Sequence, residues 1–149
     1  MDRREALGAS ILAALTLASR ESLAEQKPKP GAGVLTVEEW LVRASLLLDE
    51  TKRTQDWIGS HPGDLGLASL AYDLADLRSQ LAVKLAAPDK VKQAHMHLLL
   101  ALENTTAAFD AKVRGDEKKT AQRMAAARAE ENTLNLALEA VKLKLPSIK

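Results

Sequence analysis

Three polar side chains interrupt otherwise apolar faces of this 149-residue chain and are its first candidates for chemistry. Arg78, His95 and Glu131 each fall where the three- and four-residue spacing of Leu and Ala predicts a buried helix face. Burying an unpaired charge is costly, so we expect an Arg78–Glu131 ion pair with His95 as its neighbour. Such a pair would fix helix register, or would line a polar pocket for a small ligand. Alternatively, the long side chains reach the surface.

A metal or haem site would need more ligands than these positions offer. His95 and His97 point about 200° apart on a regular helix and cannot both bind one ion, so His95 would need Glu131, or His61 from a distant loop, as its further ligand. The residues three before these histidines are Lys92 and Ala94, where di-iron bundles carry Glu. The chain has no cysteine, which excludes thiolate metal sites, disulfides and covalent c-type haem. The sequence therefore predicts no metal, haem or other cofactor.

Catalysis and nucleic-acid binding find equally little support. We find no glycine-rich phosphate loop and no nucleophile elbow, and Ser60-His61 lies in a Gly/Pro turn that favours turn chemistry. The 21 basic residues nearly balance the 20 acidic ones, whereas binding to nucleic-acid phosphates requires an excess of Lys and Arg. We expect neither an enzyme nor a nucleic-acid partner.

The elements that position these residues are predicted to be helices. Thr36 and Glu39 form a capping box that begins the first helix at Val37, and Pro62 with its flanking glycines ends it. The predicted buried stripe of this helix is Val37, Trp40, Leu41, Ala44, Leu47, Leu48, Thr51 and Ile58. Asp64 caps the second helix, whose predicted stripe is Leu67, Leu70, Ala71, Leu74, Leu77, Arg78, Leu81 and Leu85.

Two further helices follow after Pro88. The third has a predicted stripe of Val91, Ala94, His95, Leu98, Ala101, Leu102, Thr105, Ala108 and Phe109. Gly115 provides a left-handed C-terminal cap, and Asp116 caps the fourth helix. The predicted stripe of the fourth helix is Met124, Ala127, Glu131, Leu134, Leu138, Val141 and Leu145.

Four amphipathic helices joined by short turns can bury their apolar faces only against one another. The fold class predicted for residues 36–146 is therefore all-α, an antiparallel up-down-up-down four-helix bundle. A helical hairpin that dimerises is the main rival. Met96, Leu99 and Leu100 place apolar side chains outside the main stripe of the third helix and are the predicted interaction surface, for self-association or for an envelope protein.

The first 24 residues predict the destination of the protein. Arg3 and Arg4 precede an apolar run over 8–18, and Ser22 and Ala24 suit a cleavage site before Glu25. This run is too short for a permanent membrane span, which needs about 20 residues. We expect a cleaved signal peptide (1–24) and a periplasmic or secreted protein. The alternative is an amphipathic N-terminal helix that stays on the protein.

The start of the chain resembles the twin-arginine signal. Asp2-Arg3-Arg4-Glu5-Ala6-Leu7 has its polar residue, paired arginines and following apolar residues, although Ala6 stands where Phe is usual. This resemblance implies bacterial export in the folded state. Residues 25–35, rich in Pro and Gly, are predicted to be a flexible, disordered linker before the bundle.

The last hairpin resembles the small exported bundles of the b-type and c′-type cytochromes. The likeness lies in His95, the helical run to Ala111, the Gly115 turn and the Ala-rich last helix. Those families bind haem through a histidine near the end of the last helix, in a Cys-x-x-Cys-His motif in the c′ case. This chain has only Val, Lys and Leu over 141–145. Exported copper-storing bundles are also similar, but they use rows of cysteines.

The expected function is that of an exported, non-enzymatic binding or interaction module. The alternative is a carrier of a small ligand, copper, zinc or a haem-like group that uses the polar residues inside the bundle.

Overall fold

A computed structural model describes residues 33–148, which form four α-helices and no β-strand. The helices are α1 (Val37–Ser60), α2 (Leu65–Val83), α3 (Lys92–Val113) and α4 (Glu117–Ala140), and a 3-10 turn at Asp89–Val91 precedes α3. The predicted signal (1–24) and most of the linker (25–35) lie outside the described residues. Within 33–148, none of the helices combines the length and apolar composition that a bilayer span requires.

Side chains cap the beginnings of three helices as the sequence predicts. The Thr36 hydroxyl accepts from the Glu39 N–H, and the Glu39 carboxylate accepts from the Thr36 N–H, at 3.1 and 2.9 Å. Asp64 accepts from the Leu67 N–H and Asp116 from the Lys119 N–H, both at 2.9 Å. These bonds satisfy backbone donors that have no partner within the helix.

The ends of α3 and α4 share one backbone motif. After α3, Gly115 adopts φ 75° and donates to the Lys112 carbonyl, while the Asp116 N–H reaches Ala111. Lys142 repeats this arrangement after α4 with φ 60°. The left-handed cap at Gly115 is confirmed.

The prediction that the fourth helix continues to Leu145 is wrong, since α4 ends at Ala140. The left-handed residue Lys142 reverses the chain there. As a result, Leu143 and Leu145 pack back against the core instead of extending the helix.

Two apolar clusters fill the interior, one toward each end. The first joins the beginnings of α1 and α3 to the ends of α2 and α4 through Trp40, Ala44, Ala82, Val91, Ala94, Leu98, Leu102, Leu134 and Leu138. The second joins the end of α1 and the beginning of α2 to the end of α3 through Ile58, Ala68, Ala71, Ala75 and Phe109. This distribution is compatible with a helical bundle.

The segments at the two ends of the predicted domain form hydrogen bonds with the rest of it. Leu35, which the sequence assigns to the linker, donates its N–H to the Ala86 carbonyl at 3.0 Å and packs against the first cluster. At the other end, the Ser45 hydroxyl donates to the Pro146 carbonyl at 2.6 Å.

The buried face of α2 differs from the one predicted. Its buried residues are the small ones, Ala68, Ala71, Ala75 and Ala82. Because alanine permits close approach of backbones, Cα atoms of α2 and α3 come within 8 Å at many positions, whereas those of α1 and α2 do so at few. The leucines at 70, 74, 77 and 81 are exposed, so the prediction that they are buried is wrong.

Candidate functional site

His95 is held by the buried indole of Trp40. The Trp40 Nε1–H donates to His95 Nδ1 at 3.2 Å, and the two rings meet edge to face. Burial lowers the pKa of His95, because desolvation disfavours the charged ring. His95 is therefore neutral at pH 7, with Nδ1 occupied as an acceptor.

Arg78 lies in the groove between α1 and α2. Its Nη1 donates to the Thr54 hydroxyl at 2.9 Å. Partial burial lowers the pKa of Arg78, and the nearby Glu50 carboxylate opposes that shift. The guanidinium is thus half-buried and has a neutral partner on α1 and a negative charge close by.

Glu131 lies in a different groove, between α1 and α4. Burial raises the pKa of Glu131, while the charges of Lys52 and Arg128 act in the opposite direction. The crevice beside it holds about 240 Å³ and is closed on one side by the C-terminal segment at Leu145 and Pro146.

The structure thus separates the three candidate residues. The predicted Arg78–Glu131 ion pair is wrong, because each side chain approaches a different groove of α1 and finds polar groups there. His95 meets neither of them and bonds to Trp40. Within residues 33–148, no three His, Asp or Glu side chains lie close enough together to hold a metal ion. The bonds of Arg78 and His95 join α1 to α2 and to α3, respectively.

One polar contact between α3 and α4 escaped the sequence analysis. His97 Nδ1 lies 2.6 Å from a Glu130 carboxylate oxygen, and both side chains are largely buried. The two residues are 33 positions apart in the sequence. His97 follows the candidate His95 by two positions, and Glu130 directly precedes the candidate Glu131. Only the relative height of α3 and α4 could have revealed the pairing.

The predicted interaction surface on α3 is exposed at one residue. Met96 is 51% exposed. Leu99 is half-buried and packs against the first cluster, and Leu100 is half-buried as well. Met96 is therefore the most accessible of the three, and the two leucines keep part of their surface accessible.

A larger apolar surface lies along α1 and α2. Of the thirteen large apolar side chains that are exposed within residues 33–148, seven belong to it. We call this surface the α1–α2 apolar face; it comprises Val42, Leu46, Trp57, Leu70, Leu74, Leu77 and Leu81, which are 37–60% exposed. The apolar spacing of the sequence does not predict this face, because it places the leucines of α2 in the interior.

Two grooves and a fixed tryptophan shape this face. One groove of about 390 Å³ lies between Trp57 and the leucines at 70 and 74, and another of about 300 Å³ lies between Leu46 and Leu81. His61 stacks on the Trp57 ring at 5.1 Å between centroids, and its Nδ1 lies 2.9 Å from the Trp57 carbonyl oxygen. The indole is therefore held in place although it is exposed.

Charged side chains border these grooves. Arg53, Arg78 and Glu50 line the first, and Arg43 and Lys84 line the second. An apolar centre with a charged rim is the usual composition of a protein-binding surface. Comparisons with protein-family models, with curated proteins and with solved structures found no significant match.

Proposed function

We propose that this chain is an exported, non-enzymatic interaction module, built as an antiparallel up-down-up-down bundle, whose α1–α2 apolar face binds an amphipathic helix of a protein partner. The observation that carries this proposal is the row of exposed leucines on α2, at positions 70, 74, 77 and 81. Water-exposed leucines in one continuous row are an unfavourable surface unless another apolar surface covers them.

The size of the face supports a binding role. Its seven side chains expose on the order of 700 Å², more than the roughly 300–600 Å² of the largest apolar patch on a typical monomer. The stacked Trp57 supplies a large, fixed side chain of the kind that contributes most to binding energy.

A helix is the partner element that this geometry favours. The leucines recur every three or four residues along α2, and the grooves beside them run between two neighbouring helices. An amphipathic helix presents its own apolar residues at the same spacing and can lay them into such grooves. Arg78 and His95 support this role over that of a ligand carrier, since each already has a hydrogen-bond partner within the fold.

Site-specific photo-crosslinking in the native host tests the proposal. A benzophenone side chain at position 70 or 77 should crosslink to one protein, and the crosslink should map to the apolar face of a helix in that protein. The controls place the same group at Met96 and at Leu136 on α4, which are 51% and 64% exposed. Equal crosslinking at all four positions would overturn the proposal.

Export enters the proposal through residues 1–24, and the mature N-terminus tests it. Cleavage after Ala24 predicts that protein purified from its host begins at Glu25. Intact-mass measurement distinguishes this form from one that retains the arginines at 3 and 4. A retained N-terminus would contradict cleavage. The proposed binding by the α1–α2 apolar face is tested separately, by the crosslinking experiment.

A further inference from the structure

Resting on the proposed function, the geometry points to a second copy of this chain as the occupant of the α1–α2 apolar face, with the two α2 helices packed side by side and parallel. Leu67, Leu70, Leu74, Leu77 and Leu81 alternate spacings of three and four residues over two heptads. This is the repeat by which two helices interlock their side chains along a seam. In the single chain, four of the five leucines are exposed, so the seam is open.

The area of the face matches what a dimer needs. One copy presents on the order of 700 Å² of apolar surface, and standard-size interfaces bury about 800 Å² per partner. A two-fold axis brings the same surface of each copy together. The leucine row of one copy therefore packs against the same row of the other, and no second binding surface is needed. The neighbouring α1 residues Leu46 and Trp57 would extend the contact beyond the two α2 helices.

Charges beside the seam select the parallel orientation. With leucines at the a and d positions, Asp73 takes a g position and Arg78 the e position of the next heptad. In a parallel pair, each g residue faces that e residue of the other helix, so Asp73 of one copy would meet Arg78 of the other twice per dimer. In an antiparallel pair, g faces g and e faces e, which would not bring these opposite charges together.

Arg78 retains the capacity to make this contact. Its bond to Thr54 uses one of the five N–H groups that a guanidinium carries, and the side chain is only half-buried. Asp73 is exposed and forms no ion pair within residues 33–148. A carboxylate from the second copy would therefore compensate a guanidinium that is already partly desolvated.

Sedimentation equilibrium of the full chain tests the dimer. At about 100 µM we expect twice the mass that intact-mass measurement gives for one purified chain, with dissociation on dilution. Leu77→Glu should weaken association about 30-fold or more, because it places a carboxylate in the seam of each copy. Leu136→Glu, at an exposed site on α4, should leave the mass unchanged. A monomer at all concentrations, or equal effects of the two variants, would overturn the proposal.

Engineered cysteines test the orientation, because the chain has none of its own. Leu70→Cys and Leu77→Cys should each form a symmetric disulfide between copies on mild oxidation, as facing d positions do in a parallel pair. Asp73→Lys should weaken the dimer about tenfold, and adding Arg78→Glu should restore much of the loss. No disulfide at either position would overturn the parallel arrangement.

The outcomes separate this inference from the proposed function. If the chain is monomeric and position 77 crosslinks to a helix of a different protein, the proposed self-association is overturned. The proposed function as an interaction module is then supported. A dimer that persists in Leu77→Glu, together with no preferred crosslinking at 70 and 77, would overturn both.

Discussion

His95 accepts a hydrogen bond from the buried side chain of Trp40. The indole is fully buried, and its N–H would lose a bond to water without an internal acceptor. His95 provides that acceptor from α3, 55 residues away. The sequence predicts His95 as the neighbour of a buried ion pair, and the structure places it as a hydrogen-bond partner that joins α1 to α3.

Replacing His95 with Phe should lower the free energy of unfolding by about 1–3 kcal/mol, because the Trp40 N–H is left buried and unpaired. His95→Gln should lose less, since its side-chain carbonyl can accept the bond. Urea unfolding monitored by circular dichroism measures both. Equal stability of the Phe variant and the wild type would contradict the role assigned to this bond.

His95 should also make stability depend on pH. Its pKa is lowered in the folded state, so the unfolded chain binds its proton more readily. The contribution is complete above the ordinary histidine pKa of about 6.5 and declines as pH falls from there through the lowered value. The difference between wild type and His95→Gln, measured from pH 7.5 to 5, should change in that direction. A constant difference would argue against a shifted His95.

Glu131 should behave in the opposite sense. Burial raises its pKa, so the folded state holds its proton more tightly and loses stability as pH rises from about 4.5 through the raised value. Glu131→Gln should therefore be more stable than the wild type at pH 7 and equal to it near pH 4. The control is Glu130→Gln, whose carboxylate already bonds to His97. Thermal unfolding at both pH values compares the two variants.

Among the elements, the helix ends were the most predictable from the sequence. The Thr36 capping box, the Asp64 and Asp116 caps and the Gly115 turn depend on contacts between residues at most five positions apart. Such contacts are fixed by residue type and spacing alone. The end of α4 was missed because a lysine, not a glycine, occupies the left-handed position at 142.

Lys142→Gly should stabilise the protein by about 0.5–1 kcal/mol, because glycine avoids the strain of a left-handed conformation at some entropic cost. Gly115→Ala introduces the same strain at the corresponding position after α3 and should destabilise by about 1 kcal/mol. Melting temperatures of both variants check the prediction. Destabilisation by Lys142→Gly would mean that the lysine side chain makes contacts that outweigh the strain.

The burial of α2 was not predictable from hydropathy alone. Leucine is more apolar than alanine, so hydropathy predicts that the row at 70, 74, 77 and 81 is the inner face. The close approach of α2 to α3 admits only small residues, which selects the alanine face instead. The pairing of Arg78 with Thr54 rather than Glu131 has the same origin, since it follows from how the helices face one another.

Enlarging the alanine face should therefore cost stability. Ala75→Leu forces a larger side chain between α2 and α3 and should destabilise by about 1–3 kcal/mol. Leu77→Ala, two positions away and exposed, should change the unfolding free energy of the monomer by less than about 0.5 kcal/mol. Urea unfolding at low protein concentration makes the comparison. The reverse order would mean that leucine 77 faces the core.

At the scale of the whole molecule, the four helices of residues 33–148 are compatible with a bundle that leaves apolar side chains exposed on one side. Helix α3 packs closely against α2 and α4, but α1 and α2 together expose nine large apolar side chains, and seven of these form the α1–α2 apolar face. Under the proposed function, a partner would cover this face. The exposure of the α2 leucines on which the proposal rests follows from the burial of the α2 alanines.

Side-chain footprinting of the native protein at its working concentration tests this account most directly. A photoactivated diazirine labels apolar side chains according to their access to water. We predict that labelling at Leu70, Leu77 and Trp57 falls well below what their 54%, 52% and 60% exposure allows, while Leu136 is labelled in full. Labelling of all four in proportion to exposure would show an uncovered face and contradict the account.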